Sequence, residues 1–263
     1  MDLGLKDRVA IVTGASQGIG RAIACGLAAE GASLVICARN TEVLEKTASQ
    51  IKEKYGVNVV ALTADVTKLQ DIERLVNQAI ATFCRIDILV NNSGGPHATK
   101  FQSTPPEAWQ PGIDLILMSV VHACRSVIPH MQARKWGRII NITSISVKQP
   151  INDLILSNTL RAGVIGLAKS LANELGKDNI LVNNICPGYT LTDRLQELIN
   201  IRAKAAQITQ EQIVKQWEND VPIGRLAKPE EIADYAVFLA SERASYINGT
   251  TVAVDGGLVK GIM

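Results

Sequence analysis

No stretch of the chain stays apolar for the roughly 18 residues that a membrane-spanning helix needs, and no charged start followed by an apolar segment opens it. No membrane partner is therefore expected, and a reducing cytoplasm is the expected setting. Charge of one sign is scarce too. The 27 lysines and arginines face 25 acids, a net charge of +2, so nothing in the balance points to nucleic acid or an anionic membrane. The five cysteines, Cys25, Cys37, Cys84, Cys124 and Cys186, are scattered, odd in number and contain no C-x-x-C pair. They read as small buried hydrophobes, with neither a disulfide framework nor a metal site in view. Repeats, low-complexity stretches and Pro/Gly/Ser linkers are also missing, which leaves one domain, 1–263, with 47% apolar residues to build its core.

What the chain does contain is alternation. Short β-branched runs at 9–12, 33–37, 57–63, 86–90, 138–142, 180–185 and 250–254 are separated by amphipathic segments. That pattern predicts an α/β fold, a doubly wound and mostly parallel sheet with helices on both faces, joined by right-handed crossovers. In such sheets ligands collect at the carboxyl ends of the strands. Pro229 opens a helix whose apolar face includes Ile232, Ala236 and Leu239. Thr209 and Gln212 have the spacing of a capping box. Pro111 inside 106–131 predicts a short helix, a bend and then a long helix.

The stretch 8–20 is the most informative. A buried strand leads into a turn carrying Gly14, Gly18 and Gly20, and helical spacing of apolar groups runs from 19 to 30. Gly14 allows the chain to reverse, Gly18 lets backbone approach a phosphate, and Gly20 lets the helix pack closely on the sheet. A helix N-terminus, with its free amides and positive dipole, would then face a pyrophosphate. Strand, glycine turn and helix in a βαβ pattern are the context in which such glycines mean cofactor binding rather than packing alone.

The spacing Thr13-Gly-x-x-x-Gly-x-Gly20 resembles the short-chain dehydrogenase/reductase family, and in particular its 3-oxoacyl-carrier-protein reductase-like members. The likeness covers nearly the whole chain. It continues through Asp65-Val66, Asn91-Asn92-Ser93-Gly94, Ser144, Pro187-Gly188, Gly224-Arg-Leu, Pro229-Glu-Glu and Asp255-Gly-Gly257. It implies a Rossmann fold of about seven strands, a homotetramer, and a nicotinamide cofactor held by Gly14, Ser16, Gln17, Gly18, Ile19 and Gly20. It further assigns the adenine ring to Asp65 and Val66, and the adenine-side ribose and diphosphate to Asn92, Ser93 and Gly94. Pro187, Gly188, Thr190 and Thr192 would hold the carboxamide end. Asp65 could instead cap the helix that follows it.

At the end of the second strand, where an NAD enzyme places an acid, the chain reads Cys37-Ala-Arg39-Asn40. Arg39 suits a 2'-phosphate, and with Asn40 the resemblance implies NADP(H) rather than NAD(H). A solvated surface arginine would look the same, and Gln17 stands where many NADP members have a second basic residue.

The reaction centre departs from the family. Its Tyr-x-x-x-Lys, thirteen residues after Ser144, here reads Ser157-Asn-Thr-Leu-Arg161, and by position Asp114 replaces the family asparagine. Ser157 and Arg161 lie four apart on a predicted helix and can face the same ligand. A serine hydroxyl is far less acidic than a phenol of pKa about 10, and arginine keeps its proton while still donating to ribose hydroxyls. A substitute acid could be His97, Lys148 or Tyr189, histidine being the side-chain type best suited to proton transfer at neutral pH. Each also has an ordinary reading, as loop histidine, solvated lysine or packing aromatic. The segment 193–220 matches the family's mobile substrate lid, though a helical pair belonging to the fixed core would look similar. Two functions follow: an NADP(H)-dependent oxidoreductase acting on a small carbonyl or secondary alcohol through an altered site, or a cofactor-binding sensor or structural module without hydride transfer.

Overall fold

Strands rich in Val, Ile and Leu on both faces can be buried only in a middle layer, between helices. In the computed structural model, which describes residues 1–262, seven of them form one sheet. They are β1 (Val9–Val12), β2 (Ser33–Ala38), β3 (Val59–Thr63), β4 (Ile88–Asn91), β5 (Gly137–Ile142), β6 (Ile180–Pro187) and β7 (Thr251–Val254). All pairings are parallel, in the order β3-β2-β1-β4-β5-β6-β7. The expected seven-stranded, doubly wound fold is what forms.

One face carries α1 (Gly18–Ala29), α2 (Thr41–Tyr55) and α9 (Pro229–Ala240), whose Ile23, Leu44 and Ile232 share a buried cluster with β1 and β2. The other carries α3 (Leu69–Phe83), α5 (Ser119–Arg134) and α6 (Ile155–Leu175), packed through Ile72, Val127 and Leu160. All five cysteines are free, and burial pushes the thiols of Cys37 and Cys124 up to about 12, so both behave as small hydrophobes.

Helical structure is not interrupted at Pro111. Pro111 falls in the first turn of α4 (Trp109–Ile113), where its missing N–H leaves no bond unmade, and helical structure runs through a π-turn at Asp114–Met118 into α5. The whole span Pro106–Arg134 is long and apolar enough, by length and composition, to cross a membrane. Its inner face, with Ile116, Val120, Val127 and Met131, is core of the second layer.

Between β6 and α9 the chain leaves the sheet as α7 (Asp193–Ala206) and α8 (Gln210–Asp220). The Thr209–Gln212 capping box is present, and Thr192 caps α7 by accepting from the amide of Leu195 (3.2 Å). This pair has a core of its own, in which Leu195, Ile199, Ile213 and Trp217 close on one another.

A polar thread crosses the sheet at one level. Asn91 donates to Asn141 (2.9 Å), Asn141 to Asn184 (2.9 Å) and Asn184 to Thr251 Oγ1 (3.0 Å), each between register partners on adjacent strands.

Candidate active site

Strand order reverses between β1 and β4, and a crevice opens at their carboxyl ends. Gly14 and Gly18 take positive φ, 59° and 56°. A Cβ on Gly20 would strike the carbonyl of Gly14 and lie 2.6 Å from Asn92 Nδ2, so Gly20 brings α1 against the loop as well as the sheet. The amides of Gly18, Ile19 and Gly20 have no partner among the described residues and form the open N-terminus of α1, next to half-buried Ser16 and exposed Gln17. Asn92 supports the turn itself. Its side chain donates to the carbonyls of Thr13 (3.2 Å) and Gly14 (3.1 Å), holding the glycine turn in shape.

At the β2 end Arg39 is exposed and makes no hydrogen bond or ion pair among the described residues, while Asn40 accepts from Val43 to cap α2. Asp65 does not cap α3. Its carboxylate accepts from Thr67 N (3.1 Å) and Thr67 Oγ1 (2.9 Å) in the turn before that helix. Burial raises its pKa, but those bonds and the charges of Arg39 and Lys68 outweigh burial and hold it below the usual carboxylate range.

Val66, Asn92, Ser93 and Arg161 line one narrow recess, of about 20 Å³, together with Asn91 and Ile116. Asp114 is not among its walls. Its carboxylate accepts from Gln110 Nε2 (2.8 Å), and within the π-turn it is Ile116 that faces Arg161 across the recess. Asp114, which by spacing stands for the family's asparagine, thus does not reach the recess.

Arg161 is the centre of the arrangement. Its Nε donates to Ser157 Oγ (3.2 Å), and its Nη1 donates to the carbonyls of Ile142 (3.1 Å) and Thr143 (3.0 Å) at the end of β5. The ladder explains that need. Thr143 N pairs with Ile185 O, so the next rung toward Thr143 O falls to residue 187, a proline without an N–H. Burial, and secondarily the charge of Arg194, lowers the Arg161 pKa to about 10, which still leaves it protonated at neutral pH. Nη2 has no partner among the described residues.

Ser144 follows β5, and its Oγ accepts from Ser146 N (3.1 Å), leaving its proton for a ligand. After β6, Pro187 and Gly188 run close to the C-terminal strand, where a Cβ on Gly188 would lie 2.8 Å from Asp255 Cα. Thr190 and Thr192 hydroxyls donate within their own turn, to Gly188 O (3.1 Å) and Thr190 O (3.2 Å). Exposed Gly94 leads to exposed His97. The side chains of His97 and Lys148 form no hydrogen bond among the described residues, and Tyr189 is stacked on Trp217 with ring centroids 4.5 Å apart. None of these three bonds to Ser144, Ser157 or Arg161. No cluster of three metal-ligating side chains occurs among the described residues.

A family model described as enoyl-(acyl carrier protein) reductase matches residues 14–259. The chain is 37% identical over 254 residues to an uncharacterized oxidoreductase, YxjF, of Bacillus subtilis, covering 96% of this chain and 98% of the relative. It is 33% identical over 258 residues to a 3-oxoacyl-[acyl-carrier-protein] reductase of Aquifex aeolicus, covering 98% and 100%. Among solved structures, L-sorbose reductase from Gluconobacter frateurii, complexed with NADPH and L-sorbose, superposes with a TM-score of 0.95 at 38% identity over 100% of both chains.

Proposed function

The chain belongs to the short-chain dehydrogenase/reductase family, a family of oxidoreductases, and on that footing we propose that it is an NADP(H)-dependent enzyme that interconverts a carbonyl compound and a secondary alcohol without the family's tyrosine. One observation carries the reading: the cofactor cradle is intact, and Ser144 and Arg161 each keep an unengaged donor beside it.

The residues present fit the dinucleotide. The free amides of Gly18, Ile19 and Gly20 suit a diphosphate, and a side chain at Gly14 or Gly20 would fill the turn. Arg39, which makes no ion pair among the described residues, suits a 2'-phosphate, in keeping with the NADPH of the sorbose reductase complex. Asp65, Val66, Ser93 and Gly94 flank the adenosine half, and Pro187, Gly188, Thr190 and Thr192 the nicotinamide half. Arg161 Nη2 donates to ribose hydroxyls, and Ser144 donates to the substrate oxygen. A bound nicotinamide supplies or accepts the hydride. Ser157, whose oxygen is engaged by Arg161 Nε, orients that guanidinium rather than ionising. The proton on the substrate oxygen then comes from solvent at the cleft mouth. Losing a built-in general acid costs about 10²- to 10⁴-fold in rate, which leaves a slow enzyme rather than none. Helices α7 and α8 serve as the lid, and the working form is a homotetramer.

Arg39→Ala is expected to weaken NADPH binding by roughly 10- to 100-fold, the range for a charge-assisted bond, with NADH binding unchanged; equal losses for both cofactors in a fluorescence titration would refute the assignment. The function itself is tested by NADPH oxidation against ketones, β-keto esters and quinones. Ser144→Ala should lower kcat/KM about 10- to 100-fold by removing one bond to a developing oxyanion. The rival reading, a binding module, draws on the lack of any bond from His97, Lys148 or Tyr189 to Ser144 among the described residues. Tight NADPH binding with no turnover above the Ser144→Ala level would favour that module.

A further inference from the structure

We infer that Arg194 and Arg202 are positioning residues, a two-point clasp by which α7 closes over the nicotinamide end of the cleft, each holding a backbone carbonyl on a different wall. The inference rests on the proposed lid role of α7 and α8, and adds what holds the lid shut.

The first wall is the loop after β4, where Arg194 Nη2 donates to Pro96 O (2.6 Å) and the guanidinium lies 3.0 Å from where a Cβ on Gly95 would be. The second is the loop after β5, where Arg202 Nη2 donates to Asn152 O (3.1 Å). The walls are joined to each other by a bridge between Thr99 and Leu154, so they form a fixed frame. A third contact lies at the start of α7, where the Thr192 side chain sits 3.2 Å from a Cβ placed on Gly18. Helix α7 therefore spans the loops that follow β1, β4 and β5.

The α7–α8 pair is built to move as a unit. Its core is separate from both layers of the sheet. Its base is pinned by a bridge between Thr190 and Ala227, with Leu191 N donating to Ala227 O (2.8 Å) and Ala227 N to Tyr189 O (2.9 Å). Each clasp arginine is also aimed from within the unit. Glu197 takes Nη1 of Arg194 (2.7 Å), and the Arg202 guanidinium lies 5.8 Å from the centre of the Trp217 ring, which in turn stacks on Tyr189. A long side chain held by one partner at home loses less freedom when it reaches a second partner across the gap.

The test uses the full-length protein and the variants Arg194→Gln, Arg202→Gln, their combination and Arg194→Lys. Hydrogen exchange without ligand should quicken about tenfold in 193–206 for the double variant, with the sheet unchanged, because two cross-cleft bonds are lost. NADPH dissociation in stopped flow should quicken by a similar factor, KM for the carbonyl should rise more than kcat falls, and Arg194→Lys should recover part of each change. Wild-type exchange in α7 of the double variant would overturn the clasp, and so would an increase spread evenly over the sheet. Should the wild type bind no NADPH, it is the cofactor reading that fails, while the exchange measurement still decides the clasp.

Discussion

Arg161→Met is expected to lower the free energy of unfolding by roughly 2–5 kcal/mol and to remove most of the affinity for NADPH. The magnitude follows from the two carbonyls that Nη1 serves, at Ile142 and Thr143, since an orphaned buried acceptor costs about 1–3 kcal/mol. Methionine fills much of the volume and carries no desolvation cost of its own, which keeps the estimate below that for breaking a buried ion pair. No neighbouring strand can take over the Thr143 carbonyl, because Pro187 occupies the place of the missing donor. A urea titration followed by circular dichroism measures the first effect, and NADPH fluorescence the second. An unfolding midpoint equal to that of the wild type would show that those carbonyls do not depend on the guanidinium. A lower midpoint with NADPH affinity intact would remove Arg161 from the cofactor site and leave it a strand-end cap.

Ser157→Tyr combined with Arg161→Lys should raise kcat toward carbonyl substrates about 100-fold or more, within the 10²- to 10⁴-fold range of a general acid. A phenol titrates near 10 and a neighbouring ammonium favours its ionised form, whereas the serine hydroxyl is engaged as an acceptor by Arg161 Nε. The double change is needed because tyrosine alone would displace the buried guanidinium that now lies 3.2 Å from Ser157 Oγ. The lysine also keeps a cation near the Ile142 and Thr143 carbonyls. Turnover is measured on the best ketone found for the wild type. A folded double variant that binds NADPH and gains nothing would mean that proton transfer does not limit the reaction, contrary to the mechanism proposed.

The sheet and the glycine loop were legible because their signals are local. Seven β-branched runs appear with boundaries shifted by at most a few residues, and α7 with α8 fills 193–220 as expected. What was not legible depends on register and on partners far away in the chain. That Arg161 caps a strand end follows from how β5 and β6 align and from a proline on the second of them, which spacing around Arg161 cannot reveal. That Ile116 rather than Asp114 lines the recess depends on side-chain directions within the π-turn at Asp114–Met118, which spacing does not give. Asp65 could have capped the helix that follows it, and instead closes the turn with Thr67. His97, Lys148 and Tyr189 are close to the motifs in sequence, yet a loop places the first two outward and a stacked tryptophan holds the third.

The amides that run from Asn91 through Asn141 and Asn184 to Thr251 have a consequence for how this protein can vary. Each asparagine in the middle is donor to one neighbour and acceptor from the other, so an apolar substitution at Asn141 strands polar atoms on two strands at once. Substitutions along the thread should be strongly non-additive, the second costing less than the first. Those positions constitute one heritable unit, in which drift is blocked one residue at a time and open only to coordinated replacement. Because Asn91 also borders the recess beside Arg161, that unit ties the tolerance of the outer strand β7 to the shape of the cleft.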